Sequence, residues 1–153
     1  IKPERLLEFE RHFLLFFTGI SRVASDIAAE QIEKISQNKE RLHSMKSLVE
    51  DAYRILTSPT IKLTAFGELL DETWRLKKLL SNKISTDIVD EMYDTAKKNG
   101  AIGGKLLGAG GGGFVLFFAP QKAHEQIKNA LHSYLHIPFS FDFEGSNVIV
   151  YQP

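Results

Sequence analysis

The chain has 153 residues and an apolar share of 43%, enough for one compact domain with a hydrophobic core. Nineteen basic side chains balance nineteen acidic ones, so no net field draws nucleic acid or an anionic membrane, although a local basic patch is compatible with that balance. The absence of cysteine excludes disulfides, thiol catalysis and thiolate metal sites and suits a reducing compartment, so the cytoplasm is expected.

The apolar runs Phe13 to Phe17 and Phe114 to Phe118 are far shorter than the ~20 residues that span a bilayer, and a soluble chain is expected. Ile1 rather than Met opens the chain, which leaves room for a preceding part.

Phe13 to Thr18 is aromatic and apolar and stops at Gly19, which predicts a buried strand. From Arg22 the period becomes helical: Val23, Ile27, Gln31 and Ile32 or Ile35 recur with Asp26, Glu30 and Glu33 between them. After the polar stretch 36–39, Leu42, Met45, Val49, Tyr53 and Leu56 form a second helical stripe, ended near Ser58-Pro59 because proline disfavours a helical residue before it. Pro59 or Thr60 is expected to open a third helix, with Phe66, Leu69, Leu70, Thr73, Leu76 and Leu80 on its apolar face. Trp74 reads as packing beside that stripe, and Lys77 and Lys78 as a solvated helix face or a second phosphate-binding edge. Ser85 is the expected N-cap of a fourth helix, with Asp87 in its first turn, Lys97 and Lys98 in its last and Gly100 just beyond.

A glycine-rich segment follows and runs into the strand Phe114 to Ala119. Pro120 starts a further helix with Ala123, Ile127, Leu131 and Leu135 on its buried side. Phe139, Phe141 and Phe143 alternate with Ser140 and Asp142 as a half-buried strand, turned at 144–147 and paired with Val148 to Tyr151. The expected fold class is α+β, a ferredoxin-like split βαβ sheet with an additional helical insert, in a single domain over 1–153.

Eight of the eleven glycines fall between Gly100 and Gly113, and a plain hairpin needs one or two. Each such glycine costs about 0.5–1 kcal/mol relative to alanine. That cost is reasonable where an anion, a sugar hydroxyl or another loop must touch bare backbone N–H groups. A Walker loop fails because Gly104-Lys105 is followed by Leu106 and Leu107 rather than a hydroxyl residue. The spacing Gly108, Gly110, Gly113 matches a dinucleotide fingerprint, but it leads into a strand where that fingerprint opens a helix. The protein-kinase glycine loop lacks its lysine strand and catalytic-loop aspartate here.

The segment Gly100 to Phe114, GAIGGKLLGAGGGGF, closely resembles the third motif of the GHMP small-molecule kinases. Leu107 and Phe114 depart from the Thr and Cys common in mevalonate kinases. With Leu15 to Arg22 (LFFTGISR) and Glu72 to Lys78 (ETWRLKK), they resemble the branch of heptose 7-phosphate kinases and fucokinase-type enzymes. The resemblance implies the ferredoxin-like C-terminal half of an ATP-dependent sugar kinase. The phosphate loop and the acidic base, and with them most of the contact to ATP and Mg²⁺, would then lie in an N-terminal half outside this chain.

The resemblance also implies that Gly108, Ala109, Gly110, Gly111, Gly112 and Gly113 line the cleft, with no catalytic residue and no metal ligand in this chain. Lys105 reads as a phosphate contact or as a lysine snorkelling beside a strand end. Thr18 and Arg22 read as sugar-phosphate contacts or as a helix cap and a surface charge. The expected partners are a sugar phosphate and the N-terminal kinase domain, and the fragment alone is expected to be inactive. His132 and His136, four apart, lack the carboxylate spacing of a metal site. A regulatory or RNA-binding module is the alternative from another class; it requires exposed sheet aromatics and a basic face.

Overall fold

A computed structural model describes residues 1–21, 24–148 and 150–152. Helix α1 (Pro3–Glu10) precedes strand β1 (Phe13–Phe17). Helices α2 (Ala24–Glu33), α3 (Lys39–Thr57), α4 (Thr64–Lys78) and α5 (Asp87–Lys98) follow, and then strands β2 (Gly103–Leu106) and β3 (Phe114–Phe118), helix α6 (His124–Ala130) and strand β4 (Leu135–Ile137). The four strands are antiparallel in the order β2-β3-β1-β4. With α5 and α6 as the two crossover helices, this is the expected split βαβ sheet, and α2, α3 and α4 are inserted between β1 and α5.

Alternation along the central strands decides the layers. Leu14 and Phe16 of β1 stand beside Phe117 and Val115 of β3 on one face. They are buried there with Trp74, Ile84, Met92, Ala96, Ile127 and Leu131. Phe118 joins Phe9, Leu63 and Leu70 in a second cluster, against which Phe13, Phe66 and Phe141 pack. Phe9 meets Phe13 and Phe66 edge to face at 4.9 and 4.7 Å, the arrangement ring quadrupoles favour.

Helix α4 lies against β2 at a point where both backbones are bare. A Cβ on Gly103 would stand 2.0 Å from the Gly67 carbonyl oxygen and 2.8 Å from the Asp71 nitrogen. Beside it, the Asp71 carboxylate is buried and accepts from the Tyr93 hydroxyl at 2.7 Å. Burial pushes Asp71 up, but the bonds from Tyr93 and Lys97 outweigh it and hold the carboxyl below its ordinary range.

Four expectations are corrected. No helix opens at Pro59 or Thr60: Ser58 Oγ accepts from the Thr60 and Ile61 N–H groups at 3.3 Å each, making a turn, and α4 starts at Thr64. The N-cap of α5 is Thr86, which accepts from the Val89 N–H, whereas Ser85 donates to Asp90 Oδ1 at 2.9 Å. Leu135 lies on no helix but in β4, paired with Phe17, because the free edge of β1 offers its backbone a ladder. The described residues of 139–151 form no strand pair. Phe141 instead enters the aromatic cluster, and its N–H donates to Glu10 Oε2 at 2.6 Å.

Helix α1, which precedes the first element expected from sequence, carries Arg5. Its guanidinium donates to the carbonyls of Ile55, Leu56 and Ile61 and so closes the C-terminus of α3.

Candidate functional site

The glycine loop, residues 107–113, joins β2 to β3 at the end of the sheet where β1 also finishes. Its curvature needs positive φ at Gly108 (74°), Gly110 (131°), Gly111 (78°) and Gly113 (95°), conformations that side chains with a Cβ rarely adopt. Gly110 is also a point of contact: a Cβ there would lie 2.8 Å from Ile84 Cα and 2.9 Å from the Ile84 oxygen.

Ties from several elements fix the loop. The Gly111 N–H donates to the Ile84 carbonyl at 2.7 Å, and Gly113 N–H to the Ile20 carbonyl at 2.9 Å. The buried Thr18 hydroxyl donates to the Gly113 oxygen at 2.9 Å and accepts from the Gly113 and Ile20 N–H groups. Gln31 of α2 donates to the Ala109 oxygen at 2.9 Å, and Lys77 of α4 to the Gly108 oxygen at 2.6 Å. Below the Ile84 carbonyl, Asp90 accepts from Lys78 and Ser85, both at 2.9 Å, which steadies that turn.

What remains is a hollow of about 280 Å³ between the loop backbone and Phe17, Ile20, Ser21 and Phe114. The N–H groups of Gly108, Ala109, Gly110 and Gly112 have no hydrogen-bond partner among the described residues, and all four residues line the hollow. Gly111, whose N–H is already taken by Ile84, does not line it. Bare N–H groups around a concavity suit an anion or a hydroxyl oxygen. Among the described side chains, none that lines the hollow is a carboxylate or an imidazole.

Lys77 brings a cation to the loop through its bond to the Gly108 oxygen. Burial, and then the nearby charge of Lys105, lowers it from the ordinary lysine value to about 8.

The family model described as GHMP kinases C terminal matches residues 48–137. This chain belongs to the GHMP kinases, as a C-terminal domain. It is 35% identical over 143 residues to the D-glycero-alpha-D-manno-heptose 7-phosphate kinase of Campylobacter jejuni, covering 90% of this chain and 41% of that protein. It is 32% identical over 127 residues to the bifunctional fucokinase/GDP-fucose pyrophosphorylase of Arabidopsis thaliana, covering 80% of this chain and 12% of that protein. Among solved structures, the mevalonate kinase of Methanococcus jannaschii superposes with a TM-score of 0.72 at 25% identity, covering 90% of this chain and 42% of that one. The chain thus spans less than half the length of these relatives.

Within this GHMP kinase C-terminal domain, the residues singled out from sequence fall into distinct places. Gly108, Ala109, Gly110, Gly112 and Gly113 border the hollow, and Gly111 braces the loop from behind. Thr18 is brought to the loop as its anchor, with its hydroxyl engaged by Gly113 and Ile20. Lys105 sits half-buried on β2 opposite Leu116, outside the hollow. Arg22 and Val23 lie outside the described residues.

Trp74 is core, 1% exposed. Lys78 pairs with Asp90, but Lys77 is no solvated face residue, since it reaches the loop. Gln31, read from sequence only as part of a helical stripe, likewise proves to hold a loop carbonyl. No local pattern marks either residue for that role, because each partner lies far along the chain.

Proposed function

We propose that this chain is the C-terminal domain of an ATP-dependent sugar kinase that phosphorylates the anomeric hydroxyl of D-glycero-D-manno-heptose 7-phosphate. The observation that carries the reading is the pinned glycine loop, whose unpaired N–H groups border a hollow of about 280 Å³. Phosphoryl transfer depends on alignment and on stabilising charge in a water-poor cleft, and a wall of fixed backbone dipoles contributes both without moving. The Campylobacter relative, matched over 90% of this chain, supports the choice of heptose phosphate as acceptor.

In this reading residues 108–113 and Thr18 form one side of the cleft, and Lys105 and Arg22 are its candidate phosphate contacts. ATP and Mg²⁺ are held mainly by an N-terminal domain outside the chain. ATP supplies the transferred phosphoryl group when bound. The part of this chain is to orient the acceptor, exclude water and keep the opposing phosphate-binding surface in register. Residues 1–153 alone would then lack turnover, and the cytoplasm is the proposed compartment.

The test is a panel assay of the full-length enzyme with heptose 7-phosphate, fucose and mevalonate, following ADP release and locating the new phosphate by phosphorus NMR. Preference for heptose 7-phosphate with a new anomeric phosphate is the expected result. Preference for fucose moves the acceptor within the sugar kinases. ADP release by residues 1–153 alone overturns the division of labour between the two domains.

A further inference from the structure

The glycine loop lies where β1 ends. At the other end of the same strand a second concavity, about 290 Å³, opens between β1, β4 and α6. Phe13 and Leu14 of β1 line it, Phe17 lines the glycine hollow, and no described residue lines both, so this is no extension of the glycine hollow.

Its lining gathers Arg11, His124, Lys128 and His136 against one carboxylate, Glu10. That carboxylate is already engaged, accepting the Phe141 N–H at 2.6 Å. Arg11 makes no ion pair among the described residues. Lys128 lies 3.1 Å from Glu125, but Glu125 is 80% exposed, and such a pair is weak in water and readily exchanged.

The two imidazoles are held from different elements. His124 Nε2 lies 3.2 Å from the Ala119 carbonyl and donates to it, and the His136 ring packs edge-on against Phe16 at 5.3 Å. Burial, and then the charge of Lys128, lowers His136; burial lowers His124 as well, with Lys128 and His12 adding to it against the pull of the Ala119 carbonyl. Two cations, Arg11 and Lys128, thus meet two neutral imidazoles in one hollow, and the single carboxylate of its lining, Glu10, is turned to the Phe141 N–H. A metal does not fit: no three His, Asp or Glu side chains among the described residues are placed to hold one. Ile137 and the partly exposed Phe139 supply an apolar wall beside the charges.

We infer that this concavity is a second binding site, for a small organic phosphate whose anionic group sits among Arg11, Lys128 and His136, beside the His124 ring, and whose carbon part lies against Ile137 and Phe139. Arginine and lysine side chains pair with phosphate oxygens through charge-assisted hydrogen bonds, and the neutral His136 ring adds an N–H donor, while the N–H of His124 is engaged by the Ala119 carbonyl.

The test is an NMR titration of the chain with inorganic phosphate and with phenyl phosphate at constant ionic strength, reading the His124 and His136 ring signals and the Gly108 to Gly113 amides. Saturable shifts are expected at the two rings, with phenyl phosphate binding at least about threefold more tightly because it also covers the apolar wall. The double variant Arg11→Gln/Lys128→Gln should weaken binding roughly tenfold, a loss of about 1.4 kcal/mol. Lys128→Gln alone serves if the double variant does not fold. The absence of saturable shifts, shifts confined to the glycine loop, equal affinity for the two probes, or unchanged affinity in the variant would each overturn the inference.

Discussion

The Lys77 ammonium nitrogen stands 2.6 Å from the Gly108 carbonyl oxygen, joining the last turn of α4 to the glycine loop. The bond uses a side chain whose burial already disfavours its charge, so Lys77 is lowered to about 8. An ordinary lysine titrates near ~10.4, and at pH 8 Lys77 therefore holds roughly a hundredfold more free amine. Acetylation of Lys77, followed by peptide mass spectrometry across pH, should show a midpoint near 8; a midpoint above 10 contradicts the burial argument. Because the folded value lies below the unfolded one, the unfolded chain binds more protons between the two. Stability should accordingly rise as pH increases from about 8 toward 10.5. Lys77→Met should remove that rise from the melting temperature.

Gly103→Ala tests the contact of α4 with β2. Its methyl would meet backbone atoms of Gly67 and Asp71, which no rotamer change can move aside, so the helix must shift. Overpacking of this kind costs about 3 kcal/mol. Gly19→Ala is the control: its φ of 77° is strained for alanine, but nothing lies within 4 Å of the added Cβ, and a loss of about 1 kcal/mol is expected. Urea midpoints of the two variants should differ accordingly.

Within the loop, Gly110→Val and Gly108→Ala should separate packing from strain. The first pushes on Ile84 and loosens the neighbouring bond from Gly111 N–H to the Ile84 carbonyl, while the second enters open space. In the full-length enzyme Gly110→Val should fold by circular dichroism yet lose about 10²-fold in kcat, the scale of a 1 Å misplacement. Gly108→Ala should retain most of its turnover. Unaltered kcat in Gly110→Val would detach the loop from the reaction.

Glu30 governs the acid limit. Hydrogen bonds from Lys34, Ser81 and Lys83 lower it from 4.5 to about 2, and through Ser81 it fastens α2 to the turn preceding α5. A lowered carboxyl stabilises the fold above its unfolded value and loses that contribution as pH falls from about 4.5 toward 2. Denaturant midpoints of Glu30→Gln should be lower than wild type at neutral pH and converge with it at the acid end.

How much of this was legible depended on how local the cause was. Strands β1 and β3 are short apolar runs with glycine beside them, and α5 carries acidic residues at its start and basic ones at its end; all three could be read directly. Strand β4 could not. Leu131 and Leu135 keep helical spacing, and only the unpaired edge of β1 draws Leu135 into a ladder. The turn at Ser58 and the Thr86 cap show the usual limit on boundaries, where one hydroxyl decides. At the candidate site the glycines announced themselves through their number, whereas Lys77 and Gln31 gain their roles from carbonyls 31 and 78 positions away.

Those separations, with 95 positions between Thr18 and Gly113, also order events in time. Contacts so distant in sequence are reached only after the intervening helices have closed their own, so the loop should take shape on the native side of the folding barrier. Loosening any one tie should then shorten the lifetime of the folded chain while leaving its rate of formation nearly unchanged.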